Sequence, residues 1–493
     1  MPTVLRRSLA VTLVLFAAGC GRGGAVEPSP EPQPAAGGTL TYALTGDPVS
    51  VTPLYGGDPS GIVVERNVFA GLVDADPSSL RIVPAIARSW SSSGDRRRWT
   101  FRLRTGVTFP AGNGAVTAAT FVQDWSLLCS PGVRSPNAAV LAPVAGYAAC
   151  RRGARTLSGA RAAGPSTLVV TLSRPVPDFP AWLADPATWA FPPQLASTPA
   201  ARVAFERAPV GAGPFRVVRL VHSEHPQGKA PVAGEVVLLR NPGYAGPRPR
   251  LARIDMPVVT QADAARSIAA YRAGRYQVLG VPAAAADVVR ADPRFDRQLV
   301  DVPRLSLVFL RASPGAVPLA GAVDASGVVT QALGKSGQPA DGLLPAGMPG
   351  YVPGAAHPAA RTLAGVRVTL THVTSPTLAA ITAALAQSLR RRGAQVRVVA
   401  RGMWTVSELD LQSPAPDAAL AALAGPLPGP VIAAAGGDRD GALLAAQEAV
   451  LARGGIVPLA FGTSELLVAP GVHGLALGAL GAPRLASAWR GGA

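Results

Sequence analysis

The stretch VRVTLTHVTSPTLAAITAALAQSLRRRGAQVRVVA, residues 366–400, decides the fold class. Its opening, VRVTLTHV, alternates apolar and polar residues with the two-residue period of a strand that buries one face. Ser375 and Pro376 then open a helix in which Leu378, Ile381, Leu385 and Leu389 recur every three or four residues and so share one side. Proline suits the first turn, where its missing N–H costs no hydrogen bond, and Gly393 follows the last turn, where a left-handed residue ends a helix. AQVRVVA (394–400) is the second strand. Strand, helix and strand at this spacing predict a parallel crossover, since an antiparallel pair needs only a tight turn. The chain is therefore expected to be α/β.

Working outward, TLTYALTG (39–46), STLVVTLSRP (166–175) and GEVVLLRNPGY (234–244) read as further strands. IVVERNVFAGLV (62–73) places Val64, Val68, Phe69 and Leu72 at helical spacing, and TAATFVQDWSLL (117–128) reads as a helix capped by Thr117. In RRWTFRLRTGVTFP (97–110), Trp99, Phe101 and Leu103 alternate with Arg98, Thr100, Arg102 and Arg104. The turn signal Thr105-Gly106 that follows predicts a hairpin there. No repeat with a period of about 20–50 residues is visible.

With 493 residues, 48% hydrophobic and 15% charged, the chain is long and apolar enough for two or three domain-sized units. The net charge of +17 comes almost wholly from arginine, Lys229 and Lys335 being the only lysines. The arginines are scattered or in short clusters (96–98, 390–392), without the interleaved aromatics of a base-stacking surface. They read as a solvated surface, not a nucleic-acid site, with at most a general, unspecific attraction to anionic lipid or wall polymers.

At the N-terminus, Arg6 and Arg7 precede an apolar run (residues 9–18), and Ala17, Ala18 and Gly19 lead to Cys20. The run is about half a membrane span, so residues 1–19 read as a secretory signal. GRGGAVEPSPEPQPAAGG (21–38) is too polar and proline-rich to pack, so residues 20–37 read as a flexible tether. Cys129 and Cys150 remain: a disulfide in an exported chain, buried thiols in a cytosolic one.

Ending on Gly-Cys, the signal resembles that of bacterial lipoproteins, which implies a lipid anchor at Cys20; the departure is Ala17, where leucine is usual. The body carries a matching series of landmarks. GGTLTYALTGDPVSVTPLY (37–55) is followed by ERNVFAGLVDADPSSLRIVPAIARSWSSSGDRRRWTFRLRTGVTF (65–109), then GAGPFRV (211–217), LLRNPGY (238–244) and AAYRAGRYQVLG (269–280). DGLLPAGMPGY (341–351) and GGIVPLAFGTSELLVAPGVHGL (454–475) come last. In this order they resemble the family 5 extracellular solute-binding proteins, the oligopeptide-, dipeptide- and nickel-type receptors of ABC importers. The resemblance implies a two-lobed, hinged, periplasmic-binding-protein-like fold with an extra subdomain and a ligand enclosed between the lobes. Lobe I would comprise residues 38–290 with the extra subdomain, lobe II residues 291–455, and residues 456–493 would return to lobe I. The family's Tyr-Pro-Asp-Pro-like ligand segment is replaced by WTVSELDLQSPAPDAALAALAGPLPGP (404–430), and the second lobe is shortened. Tyr55, Trp404, Asp410 and Asp417 are the candidate ligand contacts, each weighed against an ordinary core or surface role.

Enzyme signatures are missing. There is no Gly-x-Ser-x-Gly elbow, and GKS (334–336) has Val329 where a P-loop requires glycine. His222, Glu224 and His225 share a loop without a third ligand, and His357, His372 and His473 stand alone, so neither metal nor cofactor is expected. The expected function is a monomeric receptor, lipid-anchored on the outer face of the cell membrane, that delivers a peptide or other small solute to an ABC permease. The alternative is a receptor-like lipoprotein with a degenerate cleft that binds a protein or wall partner.

Overall fold

The computed structural model describes residues 36–224, 233–259, 264–282, 285–316, 319, 322–352, 363–424 and 439–491. The signal, Cys20, most of the tether, His225 and His357 lie outside the described residues. Strand β1 (Thr39–Ala43) follows the predicted alternation, with Leu40 and Tyr42 turned inward. Helix α1 (Pro59–Val68) is capped by Asp58, whose carboxylate accepts the Gly61 N–H at 2.9 Å. Nearly the whole of α1 is buried, so it threads the protein's interior and does not lie on its surface.

Next comes a four-stranded antiparallel sheet in the order β2 (Ala87–Ser92), β3 (Arg98–Leu103), β5 (Thr167–Thr171) and β4 (Ala160–Ala162). Trp99, Phe101 and Leu103 face its core while Arg98 and Arg102 face solvent, as the alternation requires. The expected hairpin after Thr105-Gly106 does not form. The strand turns back one connection earlier, through Ser93–Arg97, and β3 pairs with β2 and β5. The segment SSSGDR ahead of β3 is itself turn-forming, and Arg96 takes the left-handed conformation (φ 55°) inside that turn. Helix α2 (Ala118–Cys129) closes one side of the sheet, with the Thr117 N–H donating to Thr120 Oγ1 at 3.1 Å. Its last residue, Cys129, is joined to Cys150 by a disulfide.

Strands β6 (Phe215–Val221), β7 (Glu235–Arg240), β8 (Arg253–Pro257) and β9 (Val278–Gly280) extend from β1. The glycines of GAGPFRV permit close backbone approach. Gly213 N–H donates to Val68 O at 2.8 Å, and a Cβ at Gly211 would meet that same carbonyl at 2.3 Å. Beyond lies β10 (Leu299–Ala312), then the predicted crossover: β11 (Arg367–Thr371), helix α3 (Pro376–Arg391) and β12 (Gln395–Val399). β11 and β12 are parallel and in register from Arg367 opposite Gln395 to Thr371 opposite Val399. Ile381, Leu385 and Leu389 are fully buried beneath them, each contributing about 1.5–3 kcal/mol. Strand β13 (Trp404–Asp410), helices α4 (Pro416–Ala424) and α5 (Arg439–Ala452), and strand β14 (Ile456–Val468) complete the framework.

These strands form one large sheet in the order β12-β11-β13-β10-β14-β9-β1-β8-β7-β6. Its halves meet in the two long antiparallel strands β10 and β14. At one end β14 pairs with β9; at the other β10 pairs with β13. Between the ends the β10–β14 register shifts, Pro303 lying opposite Thr463 and Leu307 opposite Phe461. This bulge sets three residues, Arg304, Leu305 and Ser306, against Gly462, where a Cβ would collide with Ser306. A bulge bends its strand and re-aims the side chains on it.

Candidate functional site

Arg304 lies in the bulge, next to the apolar stretch Leu307–Leu310 of β10. Its guanidinium pairs with Asp410 at the end of β13 and lies 3.7 Å from Glu408 on the same strand. Burial raises the Glu408 carboxyl above its ordinary range, and the neighbouring Asp410 charge adds to that rise. Arg304 and Asp410 line a cavity of about 30 Å³, with room for roughly two waters. Pro59 and Ile62 of α1 line it too, with Gln412, Ser464 and Ala479. Ala479 also lines a second cavity of about 450 Å³, bounded by Val300 and Pro303 of β10, Leu80, Gly347 and the polar side chains of Ser78, Ser79 and Asp301. That volume lies in the range of small-ligand sites.

The elements around the small cavity touch directly. Arg66 of α1 is 1% exposed, and its Nη2 donates to the Gln412 carbonyl just beyond β13, while its Nε and Nη1 have no hydrogen-bond partner. Burial, then the neighbouring Arg484, lowers its pKa to about 10. Next to it, burial raises Glu65 to about 8, Asp185 adding to the rise and Arg66 opposing it. A second contact joins Asp178, from the segment after β5, to Arg439 at the start of α5.

The sequence candidates are distributed as follows. Asp410 lines the small cavity as the partner of Arg304. Asp417 is 4% exposed at the start of α4, near Arg439, Asp178 and Arg174; burial raises its pKa, and Arg439 opposes that shift. Tyr55 is half-buried and donates its hydroxyl to the Val133 carbonyl at 3.1 Å. Trp404 is 1% exposed and packs with Leu370, Val406, Ile381 and Leu385 in the core beneath α3. His222 Nδ1 lies 3.1 Å from Asp47. Sequence reading passed over Arg304, although a lone arginine inside the apolar run PRLSLVFL (303–310) is a signal. It also passed over Arg66 and Gln412, for which the sequence holds no local signal.

The family described as bacterial extracellular solute-binding proteins, family 5 Middle, matches residues 81–432, well over half of the chain. The chain belongs to that family. Two curated relatives come from Escherichia coli K12. The periplasmic oligopeptide-binding protein OppA is 35% identical over 129 residues, 25% of this chain and 23% of its own length. The probable deoxycholate-binding periplasmic protein YgiS is 30% identical over 155 residues, 31% of this chain and 29% of its own. The matched stretches thus span less than a third of either relative.

Solved structures match over almost the full length of this family 5 protein. The Escherichia coli murein tripeptide binding protein MppA superposes with a TM-score of 0.76 at 20% identity, covering 93% of this chain and 100% of that one. Haemophilus influenzae OppA in complex with RPPGFSPFR gives 0.74 at 18% identity, with the same coverage of both chains. The unliganded open form of MppA gives 0.69 at 20% identity, covering 94% of this chain and 99% of that one. The fold is therefore the two-lobed one of periplasmic binding proteins.

Proposed function

We propose that this protein is the extracytoplasmic receptor of an ABC importer, which encloses a peptide-like solute between two lobes and delivers it to a membrane permease. One observation carries the reading. The two cavities share Ala479, the larger lined by Val300 to Pro303 just before the bulge in β10 and the smaller by Arg304 and Leu305 within it, together with Asp410, the partner of Arg304. In this reading the lobes divide as 38–290 with 456–493 against 291–455, the bulge is the hinge, and the larger cavity seats the solute. Arg304 and Asp410 offer opposite charges to a zwitterionic ligand, each exchanging its present partner for the ligand's carboxylate or amino group. A solute touching both lobes binds the closed form more tightly and shifts the population towards it. The names of OppA and MppA favour peptides, and that of YgiS makes a bile acid the second class to test. Cys20 is the lipid anchor, and the receptor works as a monomer.

The test is a thermal-shift screen of the purified chain against a peptide library and deoxycholate, followed by titration calorimetry of every hit. A peptide hit whose affinity falls at least tenfold in Asp410→Asn supports the seat. A bile-acid hit alone replaces the solute class. No shift with either class, together with no co-purifying small molecule in native mass spectrometry, overturns solute capture in favour of a protein or wall partner.

A further inference from the structure

About half of the chain's net positive charge falls in the stretch that builds one antiparallel sheet and the helix packed on it. The segment from Ala87 to Thr171, which builds the four-stranded sheet and α2, holds eleven arginines, no lysine or histidine, and two acidic residues, Asp95 and Asp124. It carries +9 of the chain's +17 in less than a fifth of its length. All eleven arginines are exposed, whereas Asp124 is 1% exposed, leaving Asp95 as the only acidic group the segment shows to solvent. Among the described residues none of the eleven forms an ion pair. Their side-chain hydrogen bonds go to neutral groups, as from Arg102 to Thr167 Oγ1 at 2.9 Å and from Arg104 to the Ala85 carbonyl at 2.8 Å. Elsewhere eight arginines, Arg219, Arg253, Arg272, Arg290, Arg294, Arg304, Arg439 and Arg484, meet carboxylates.

The strand register arranges part of this charge on a plane. Thr100 lies opposite Val169, and Val169 opposite Arg161, so Arg161 stands two strands across from the residue between Arg98 and Arg102. At about 3.3 Å per residue and 4.8 Å per strand, the three Cα atoms form a triangle with sides near 12–13 Å. The remaining outward positions are Ser89, Ser91, Thr100, Thr167, Val169 and Thr171. They are small or hydroxylic and include no aromatic ring on which a base would stack. The surface is cationic and hydrogen-bonding, on a protein whose family is extracellular.

We propose that the outer face of the sheet β2-β3-β5-β4 docks on an anionic phospholipid surface. Contact would hold the sheet against the membrane's outer face and fix how the rest of the receptor is presented to a membrane partner. The inference requires the extracytoplasmic placement but neither lipidation of Cys20 nor any particular solute.

The test uses the full chain with Cys20→Ser, so that no acyl chain can attach, and reads the ratio of its partitioning onto phosphatidylglycerol-containing and pure phosphatidylcholine vesicles. Each arginine near an anionic surface contributes roughly a fivefold factor at low salt, so Arg98→Gln with Arg102→Gln and Arg161→Gln should lower the ratio about 100-fold. Removing the same charge from the exposed positions Arg275, Arg297 and Arg453, which lie outside residues 87–171, should lower it less than about threefold, since beyond a Debye length charge is screened. Unchanged circular dichroism and melting midpoints show that both triple variants are folded. Independently of any variant, wild-type partitioning should collapse between ~0.05 M and ~0.5 M NaCl. Equal losses in the two variants, a ratio near one for the parent, or insensitivity to salt each overturns the proposal. So does a loss of single-stranded DNA binding in the sheet variant with vesicle partitioning unchanged. A failed solute screen leaves every one of these results unaffected.

Discussion

Glu65 offers a test of how the interior of α1 is built. Its carboxyl is 1% exposed, and burial, with Asp185 adding to it, raises its pKa from 4.5 to about 8. Folding therefore takes up a proton wherever the unfolded chain has already lost it, between about pH 4.5 and pH 8. Stability attributable to this group is fully present below pH 4.5 and falls as the pH rises through the window, by about 1.4 kcal/mol per unit. Glutamine has nearly the same shape and no proton to lose. Glu65→Gln should match the parent near pH 4.5, exceed its stability by about 3 kcal/mol at pH 7, and level off near 5 kcal/mol above pH 8. Urea unfolding of both chains at half-unit steps from pH 5 to pH 9 measures the difference directly. Parallel stability curves, or a glutamine variant that loses ground as the pH rises, would refute a neutral, buried Glu65.

Other perturbations probe the remaining framework. Cys129→Ser with Cys150→Ser opens a loop with a sequence separation of 21 and should cost about 3 kcal/mol in chemical denaturation, with dithiothreitol producing the same loss in the parent. Trp404→Ala should cost about 3–5 kcal/mol as a core cavity while leaving the affinity of the folded fraction for any identified solute within about twofold. Asp178→Asn removes the carboxylate that meets Arg439, and small-angle scattering should then report a larger radius of gyration than the parent's; an unchanged radius would mean that the contact does not hold the two segments together.

What the sequence revealed was local. The crossover at 366–400 was readable because each of its signals, the Ser-Pro start, the Gly393 stop and the periodicity of α3, acts within a turn or two of the residue that carries it. The hairpin at β3 was misplaced because two turn signals flank one strand, and the choice between them lies with β5, more than sixty residues further on. The order of the large sheet and the bulge at Arg304 depend on pairing β10 with β14, which no local pattern encodes. Asp410 could be named from its residue type and neighbourhood, but its partner Arg304 is 106 residues away and became visible only once β10 and β13 were placed side by side. The arginine excess of 87–171 was countable from the sequence. Its meaning required knowing that every one of those side chains is exposed and, among the described residues, outside any ion pair.

Strand β14 sits near the middle of the large sheet yet comes from residues 456–468, close to the end of the polypeptide. During synthesis, the half of the sheet that ends in β9 and the half that ends in β10 cannot be joined until this late strand is made. Pairings of such long sequence separation form slowly, and until they form the emerging chain lacks its cooperative centre. A nascent chain arrested before residue 456 should therefore remain open to protease along β9 and β10, where the finished chain is protected. The strand that commits the two halves to one sheet is thus made long after the strands it joins.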